Sequence, residues 1–476
     1  MMRFMELLMM QTVGSAWSQF QCGCVKLRWR SCFDTEISTI CHRFVAQSVL
    51  DGEVTERTLA KSNQNIPQPA RPLRIALVTE TYPPEINGVA STVAQLVAGL
   101  LLEGHFVEVT RPRQPKVDGV SKKGPSPRTG GMGDGGRSLG GQPPRFSERL
   151  TSGIPIPRYP ELKLGLPAAG RLERDWRAQP PDIVHIATEG PLGWSALRVA
   201  RRLGLPVVSE FRTNFHAYSA HYGIGPLRHW VLGYLRRFHN RCAFTMVPTT
   251  GLAAELEASG FERLKVVARG VDASRFHPSR RSQELRSSWG AGPSTLVMVA
   301  VGRIAPEKNL DLLVSAYRKI RTVQPDARLV VVGDGPARAW LQREAPDAVF
   351  AGRRSGEDLA AHYASADLLL FPSLTETFGN VTLEAMASGV AVLAFDYGAA
   401  GQSVVSGVHG WTVPYGDRSA FERTAECAAA DMPHLRRLGA QGRPVAETMA
   451  WTEIVREVQG IYVSTLQSVR SRGFKT

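Results

Sequence analysis

The sequence predicts an α/β protein with two doubly wound parallel sheets, one in each half of the chain. Two observations lead to this prediction. Strand-like apolar segments alternate with helix-like segments, and this alternation occurs twice along the chain. At 476 residues, the chain is also too long for one ordinary domain. Because such sheets bind ligands at the carboxyl ends of their strands, we expect a site between the two domains.

The first half opens with a βαβ unit. Its parts are a strand at Leu73–Thr79, a Pro/Gly loop at 82–88, a helix at Val89–Leu102 and a strand at His105–Thr110. Further strands are predicted at Pro181–Ala187, Pro206–Phe211 and Phe244–Pro248, with a helix over Trp194–Leu203. This order is typical of a Rossmann-like domain.

The second half repeats the pattern. Strands are predicted at Leu296–Gly302, Arg328–Gly333, Ala348–Ala351 and Leu368–Phe371, and a helix starts near Asn309. We therefore divide the chain into an N-terminal extension that we expect to be disordered, two Rossmann-like domains and a C-terminal helix, at 1–70, 71–275, 276–440 and 441–476. Met1–Met10 lacks the features of a secretory signal.

A Gly-rich insertion at 114–149 interrupts the first domain, and we expect a flexible surface loop there. Residues 119–141 include nine glycines and no periodic apolar face. The insertion contains Gly131-x-Gly133-x-x-Gly136, which superficially matches a dinucleotide fingerprint. Because no strand precedes it and no helix follows, we interpret this match as accidental.

Composition excludes some classes of function. No apolar run is long enough to span a membrane, and four of the six cysteines lie in the first 41 residues with a spacing that fits no common zinc site. The formal net charge of +14 favours a polyanionic partner, but the cations form no single stripe with stacking aromatics, which argues against nucleic acid. We expect a cytoplasmic protein, and attachment to the inner membrane face stays open.

The strongest signal for chemistry is the segment Pro372–Gly389, which follows an apolar strand and runs into a short helix. It carries two carboxylates eight residues apart, Glu376 and Glu384, which we place in the loop and in the first helical turn as acceptors for sugar hydroxyls. Asn380 can cap the helix, and the N–H groups of Gly379–Val381 then suit a diphosphate. The residues predicted here to bind this diphosphate and sugar ligand are Glu376, Phe378, Gly379, Asn380, Val381 and Glu384. The alternative is that both carboxylates are solvated surface charges.

A second group of charges follows the strand that ends at Gly302. Arg303 and Lys308 lie five residues apart in this loop, and together they could neutralise two phosphates and assist a leaving nucleoside diphosphate. The alternative is that both are loop cations paired with Glu307 and other carboxylates.

Together these motifs resemble the retaining GT-B glycosyltransferases with an E-x7-E signature. The resemblance also includes Arg269-Gly-Val-Asp272 and Gly333-Asp-Gly-Pro336, and it spans about residue 73 to about residue 465. Members of this family include sulfoquinovosyl- and mannosyltransferases that build glycolipids. The resemblance implies two Rossmann-like domains, a nucleotide-sugar donor, and neither a cofactor nor a metal.

By this resemblance, Arg303 and Lys308 hold the diphosphate, Glu376 binds the donor sugar and Glu384 binds the ribose. Gly88 lets the first loop approach the phosphates, although a plain turn glycine is the alternative. The resemblance also implies that the C-terminal helix crosses back onto the N-terminal domain.

One departure concerns the acceptor side. Many relatives have a His-Thr pair after the strand that ends near Phe211, and here the pair is Arg212-Thr213. His216 could take the role of that histidine, or Arg212 could substitute for it or instead stabilise phosphate charge. We count both as candidate catalytic residues with Glu376, Arg303 and Lys308. The candidate acceptor-binding residues are Glu189, Gly190 and Tyr218.

A basic amphipathic helix is predicted between Leu227 and Arg241. Its apolar residues recur at helical spacing, and arginines occupy other positions. Such a helix could lie on an anionic membrane and bring a lipid acceptor to the cleft. A domain helix that buries its apolar face is the equally good alternative.

We therefore predict a retaining glycosyltransferase that moves a hexose from GDP-mannose or a UDP-sugar to a hydroxyl acceptor. The alternatives are a catalytically inactive sugar-nucleotide-binding protein and a GT-B-like sugar-nucleotide epimerase. Retention needs no enzymic base when the leaving phosphate itself takes the acceptor proton.

Overall fold

A computed structural model describes residues 67–85, 87–114, 145–156, 159–212 and 228–473. Several predictions concern residues outside these ranges. They are the extension up to residue 66 with its four cysteines, the Gly-rich motif and most of the insertion, and the candidate residues His216 and Tyr218.

The first domain is built on a seven-stranded parallel sheet, as predicted. Its strands are β1 (Arg74–Val78), β2 (Phe106–Pro112), β3 (Phe146–Thr151), β6 (Ile183–Ile186), β7 (Val207–Glu210), β8 (Phe244–Val247) and β9 (Leu264–Val266). The strand order is β3-β2-β1-β6-β7-β8-β9. A separate antiparallel pair is formed by β4 (Gly153–Ile156) and β5 (Tyr159–Gly165).

The helices of the first domain cover both faces of this sheet and bury its apolar strands. They are α1 (Gly88–Leu102), α2 (Ala169–Ala178), α3 (Pro191–Arg202), α4 (Arg228–His239) and α5 (Thr250–Ala258). Asn87 caps α1, and its side chain accepts a hydrogen bond from the backbone N–H of Ala90 at 2.8 Å.

The boundary predicted for the Gly-rich insertion is wrong at its C-terminal end. Strand β3 starts at Phe146 and pairs in parallel with β2, so residues 146–149 belong to the sheet. Its sequence, Phe-Ser-Glu-Arg-Leu-Thr, has little apolar character because β3 is an edge strand. Arg149 is instead held by ion pairs with Glu108 and Asp175.

The second domain also contains a parallel sheet, as predicted, and it has six strands, of which four were predicted. Its strands are β10 (Val297–Val301), β11 (Arg328–Val332), β12 (Val349–Gly352), β13 (Leu368–Phe371), β14 (Ala391–Phe395) and β15 (Gly410–Val413), in the order β12-β11-β10-β13-β14-β15. Its helices are α6 (Gln283–Ser288), α7 (Leu310–Val323), α8 (Arg338–Glu344), α9 (Gly356–Ala364), α10 (Asn380–Ala387), α11 (Gly398–Ser403), α12 (Arg418–Ala429) and α13 (Met432–Thr448).

Each sheet has one point where the strand order reverses direction. In the first sheet the chain leaves β1 toward β2 and later returns to add β6 on the other side. In the second sheet the corresponding neighbours are β10 and β13. The loops after these four strands therefore open a crevice at each reversal, which is where doubly wound sheets bind ligands.

The last helix, α14 (Trp451–Gly473), packs on the first domain. Its buried residues Ile454, Val455, Val458, Ile461 and Tyr462 join the core formed by α1, β1 and β2. The crossing segment was predicted to begin at residue 441. In the structure, residues 441–448 are still part of α13, which packs against α10 and β14 of the second domain. The crossing helix therefore begins ten residues later.

The basic amphipathic helix corresponds to α4. Leu235 and Phe238 are buried in the domain core, and Val231 and Tyr234 pack beside it. Trp230, by contrast, is 72% exposed. Most of the apolar stripe is thus used for packing, as the alternative interpretation expected. Within the described part of the chain, no helix is both long and apolar enough to cross a membrane.

Candidate functional site

The loops after β10 and β13 meet at the reversal point of the second sheet. The loop after β10 carries Arg303 and ends in a short 3-10 turn, Pro306–Lys308. Asn309 follows in the left-handed conformation (φ 56°), and its side-chain Nδ2 donates to the carbonyl of Pro372 at 3.1 Å. This hydrogen bond fixes one loop against the other, so Lys308 and the carboxylate of Glu376 come together.

Lys308 forms an ion pair with Glu376. The two side chains keep only 23% and 16% of their exposure, so the pair is largely shielded from water. Glu376 Oε1 also accepts a hydrogen bond from the Ser373 hydroxyl at 2.7 Å. The hydroxyl of Tyr397 accepts from the Glu376 N–H at 2.9 Å and donates to the Ser373 carbonyl at 2.9 Å. The carboxylate is therefore held rigidly at the strand end.

Arg303 does not lie in the same shielded position. Its side chain is 47% exposed, and its Nη2 is 3.6 Å from Glu307 Oε1. This contact is the one that the alternative interpretation of the cation loop expected. Since such exposed pairs contribute little energy, Arg303 can exchange Glu307 for a ligand at small cost.

Helix α10 begins immediately after Gly379. Gly379 adopts φ 93°, a conformation that favours glycine, and it is the N-cap residue, whereas Asn380 is the first residue of the helix. The prediction that Asn380 caps this helix is therefore wrong, because the turn needs the left-handed residue at the cap. Phe378 is buried beneath the turn, and Val381 is half-buried in the first turn. The free N–H groups of this turn still suit an anion.

We had predicted Glu384 in the first turn of this helix. It lies in the second turn of α10, because the helix begins only at Asn380. Its Oε2 accepts a hydrogen bond from the buried hydroxyl of Tyr363 at 2.8 Å. Burial raises the pKa of Glu384, and the Tyr363 hydrogen bond partly opposes this shift. Tyr363 lies on α9, and nothing in the sequence had indicated it.

The reversal point of the first sheet is organised around Glu80, which the sequence analysis missed. Glu80 follows β1 and is only 8% exposed. Its carboxylate accepts hydrogen bonds from the N–H of Leu192 at 3.1 Å and of Gly165 at 3.3 Å. Burial raises its pKa to about 8, against these hydrogen bonds, and the charge of Glu189 adds to the shift. A carboxyl group directly after an apolar strand was the available signal.

The predicted residues Glu189 and Gly190 lie beside Glu80. The backbone carbonyl of Glu189 accepts from the Tyr234 hydroxyl at 2.7 Å, which connects this loop to α4. Gly190 approaches Glu80 so closely that a Cβ atom there would lie 1.9 Å from its Oε1. Gly88 is exposed across the same reversal point, with nothing within 4 Å of a Cβ added to it.

Arg212 belongs to a buried charged group at the carboxyl end of β7. Its Nη2 pairs with Glu210, and Glu210 Oε1 lies 2.8 Å from His185 Nε2. Burial would raise the pKa of Glu210, but the charge of Arg212 and the contact with His185 outweigh it and lower the pKa to about 2. Glu210 thus stays ionised and anchors Arg212. The position of Glu210 at a strand end was again the available signal.

Arg212 also touches the second domain. The hydroxyl of Thr377, next to Glu376, donates to the backbone carbonyl of Arg212 at 3.4 Å. Arg269 lies nearby, and its pKa is lowered to about 9 by burial and by the charge of Arg212, against the charges of Glu210 and Glu376. The structure thus brings two of the predicted catalytic residues, Glu376 and Arg212, to the same cleft.

Known proteins resemble this chain in overall sequence. Residues 86–275 match the family Glycosyltransferase Family 4, and residues 295–431 match the family Glycosyl transferases group 1. A GDP-mannose-dependent alpha-mannosyltransferase of Mycobacterium tuberculosis (strain CDC 1551 / Oshkosh) is 33% identical over 401 residues, which cover 84% of this chain and 98% of the relative. The sulfoquinovosyl transferase of Arabidopsis thaliana is 34% identical over 247 residues, which cover 51% of this chain and 48% of the relative.

Solved structures share the fold. The crystal structure of the Anabaena protein HepE in complex with UDP aligns with a TM-score of 0.62 at 16% identity, and it covers 83% of this chain and 100% of that protein. At this identity the likeness concerns the fold alone, and it agrees with the two parallel sheets described above.

Proposed function

We propose that this chain, which belongs to the GT-B glycosyltransferases of group 1 and family 4, transfers mannose from GDP-mannose to a hydroxyl acceptor with retention of configuration. A nucleotide-sugar glycosyltransferase is what the family membership establishes. The choice of GDP-mannose rests on relatives such as the mycobacterial enzyme, whose name specifies that donor and which this chain matches over 98% of its length.

The observation that carries the proposal is the shielded pair of Lys308 and Glu376 beside the start of α10. A donor diphosphate placed at the N–H groups of this helix would have Lys308 and Arg303 as counter-charges. Lys308 would then turn from Glu376 toward phosphate, and Glu376 would be released to accept hydrogen bonds from the sugar hydroxyls. In this arrangement the cations stabilise the leaving diphosphate.

Glu384 is assigned to the ribose of the donor. Its Oε2 is already occupied by Tyr363, so the carboxylate is oriented by the protein before any ligand arrives. A preoriented acceptor loses less conformational entropy when a ribose hydroxyl donates to it. The Tyr363 contact therefore supports a binding role for Glu384.

The acceptor proton is assigned to the leaving phosphate rather than to an enzymic base. Arg212 stands where many relatives have histidine, and an arginine at this place stabilises negative charge but cannot accept a proton. The charge of the diphosphate is met by side-chain cations and backbone N–H groups, so we propose that the reaction needs neither a metal nor a cofactor. Full turnover in excess EDTA is the expected result.

A thermal-shift and transfer experiment tests this proposal. GDP, GDP-mannose, UDP and UDP-glucose are each added to the wild type, to Glu384→Ala and to Glu262→Ala, whose side chain is 61% exposed and distant from the cleft. We expect GDP and GDP-mannose to stabilise the wild type and Glu262→Ala but not Glu384→Ala. With candidate acceptors present, GDP-mannose should also be converted to GDP and an α-mannoside. NMR detects both products.

The other outcomes identify the alternatives. Stabilisation by the uridine nucleotides alone would exclude GDP-mannose as the donor. Binding of GDP-mannose without transfer or hydrolysis under any acceptor condition would favour the inactive binding protein. An epimerised nucleotide sugar in place of a transferred sugar would favour the epimerase.

A further inference from the structure

We propose that Arg212 and Arg269 form a subsite for a phosphate-type oxyanion at the carboxyl end of the first sheet. The subsite rests on the proposed function and deepens it, because it assigns an anionic group of a substrate to the acceptor side of the cleft. The donor-side cations Arg303 and Lys308 lie on the other sheet and are not part of it.

A small pocket that opens to solvent lies at this place. Arg212 and Arg269 line it together with Glu210, and apolar side chains complete its walls, among them Leu96 of α1 and Trp451 of α14. This is the usual composition of a binding pocket, in which a few polar groups orient a ligand within apolar walls.

The charges that line the pocket do not balance. Glu210 supplies one negative charge, and Arg212 and Arg269 supply two positive charges. Glu210 is already engaged by Arg212 and by His185. Burial and the neighbouring Arg212 lower the pKa of Arg269 to about 9, against the charges of Glu210 and Glu376. An oxyanion in the pocket would restore the balance.

Arg212 also has hydrogen-bond donors to spare. The residue is 7% exposed, and its Nε and Nη1 have no hydrogen-bond partner among the residues that the structure describes. A buried guanidinium donor without an acceptor is costly, so such groups are normally satisfied by a protein atom, a water or a ligand. A phosphate oxygen is the acceptor that arginine binds most strongly.

Arg269 is oriented from the opposite side of the pocket. Its Nη1 lies 3.5 Å from the hydroxyl of Thr92 on α1, and that hydroxyl donates to the carbonyl of Gly88 at 2.6 Å. The Arg269 guanidinium is therefore anchored near the first loop of the cleft. Two arginines from separate elements thus converge on one pocket, a geometry suited to an oxyanion with several acceptor oxygens.

Two substrate groups have this chemistry: an acidic group on the acceptor, and the diphosphate of the donor. Inorganic phosphate is the probe that they share. We expect inorganic phosphate to bind the full-length wild type in a calorimetric titration. Arg212→Gln and Arg269→Gln should each raise the Kd for phosphate about tenfold, which is the effect of losing a charge-assisted hydrogen bond. Arg202→Gln is the matched control, since Arg202 is 57% exposed and pairs with Glu173 on the outside of the domain.

A second titration at saturating GDP distinguishes the two sources. Unchanged phosphate binding would support the subsite and assign it to the acceptor. Loss of phosphate binding at saturating GDP, together with a lower affinity of Arg212→Gln for GDP, would support the subsite and assign it to the donor diphosphate. Phosphate that fails to bind the wild type, or that binds both variants like the wild type, would overturn the proposal.

Folding and the proposed function are checked separately. Because Arg212→Gln leaves Glu210 without its partner, the double variant Glu210→Gln/Arg212→Gln removes both charges and should show the same loss of phosphate binding. Stabilisation of the wild type by GDP and its loss in Glu384→Ala report on the donor site alone. If that nucleotide response is intact while phosphate binding ignores both arginines, the subsite is wrong and the proposed function stands.

Discussion

The hydroxyl of Tyr462 lies 2.6 Å from Nδ1 of His185, although the two residues are 277 positions apart in the chain. Burial raises the pKa of Tyr462 well above its ordinary value, so the phenol keeps its proton and donates a hydrogen bond to the imidazole. The imidazole then carries its own proton on Nε2, which faces Glu210. The C-terminal helix α14 is thereby connected to the carboxylate that anchors Arg212.

Replacing this phenol should weaken the attachment of α14. Tyr462→Phe removes one buried hydrogen bond and leaves the ring in place, so we expect the free energy of unfolding to fall by about 1 kcal/mol. Chemical denaturation measures the change. A double-mutant cycle with His185→Phe should give a coupling of about 0.5–1.5 kcal/mol. Additive effects would show that the two side chains do not interact.

The contact between His185 and Tyr462 could not be predicted from the sequence. His185 lies within the predicted strand Pro181–Ala187, whose apolar neighbours correctly indicated burial. Its partner depends on where α14 crosses, which is a tertiary relationship without a local signal. Glu376 was different, because a strand, a loop with glycine and a helix start are consecutive there. Local order therefore predicted the position of Glu376, whereas the Tyr363 contact to Glu384 required the structure.

The same distinction applies to the fold. The apolar strand Leu368–Phe371 was predicted with correct bounds because both faces of a parallel sheet are covered. The edge strand β3 was missed because one side of it has no neighbouring strand and its charged residues are satisfied by ion pairs. The helix cap was assigned to Asn380 instead of Gly379. Both residue types can cap a helix, and the backbone conformation that decides between them cannot be read from the sequence.

Lys308 should be essential for transfer and unimportant for folding. Lys308→Gln removes the proposed counter-charge of the leaving diphosphate, and we expect kcat to fall by roughly 10²–10³-fold, as for other preorganised charge donors. The free energy of unfolding should change by only about 1 kcal/mol, because the glutamine amide can still donate a hydrogen bond to Glu376 and the Ser373 hydroxyl keeps its own. Initial rates of GDP release measure the first effect.

The control for this prediction is Lys319→Gln, which removes the same charge from an exposed position on α7. Its kcat should equal that of the wild type. If the two lysine variants transfer mannose equally well, Lys308 has no role in stabilising the leaving group.

Tyr363→Phe should affect donor binding more than turnover. The substitution removes the hydrogen bond that orients Glu384, and it leaves the packing of the ring unchanged. We expect KM for the donor to rise about tenfold while kcat stays within about threefold, since roughly 1.4 kcal/mol of orientation is lost. Steady-state kinetics resolve the two constants. Tyr317→Phe, on α7, is the matched control, and equal KM values for both variants would contradict a ribose role for Glu384.

Glu80 should make the stability of the protein depend on pH. Its pKa is raised from 4.5 to about 8 by burial, so the folded protein binds more protons than the unfolded chain between these values. The contribution of Glu80 to the free energy of unfolding is therefore fully present below about pH 4.5 and is lost as the pH rises through 8. A loss of about 5 kcal/mol across this window is the expected order of magnitude.

Denaturation at pH 5 and at pH 9 tests this dependence. Glu80→Gln carries no titrating proton, so its stability should fall much less between the two pH values than that of the wild type. Glu262→Gln, at an exposed position, should retain the full pH dependence. Parallel curves for the wild type and Glu80→Gln would show that Glu80 ionises normally in the folded state.

Gly190→Ala should destabilise the protein through Glu80. The added Cβ would lie 1.9 Å from Glu80 Oε1 and 2.3 Å from Oε2, and the carboxylate cannot move away without breaking its hydrogen bonds to Leu192 and Gly165. We expect a loss of about 1–3 kcal/mol in the free energy of unfolding. In a Glu80→Ala background the same change should cost clearly less, because the clashing group is gone. Gly170→Ala is the matched control, since nothing lies within 4 Å of its added Cβ, and an equal cost at both glycines would exclude the clash as the cause.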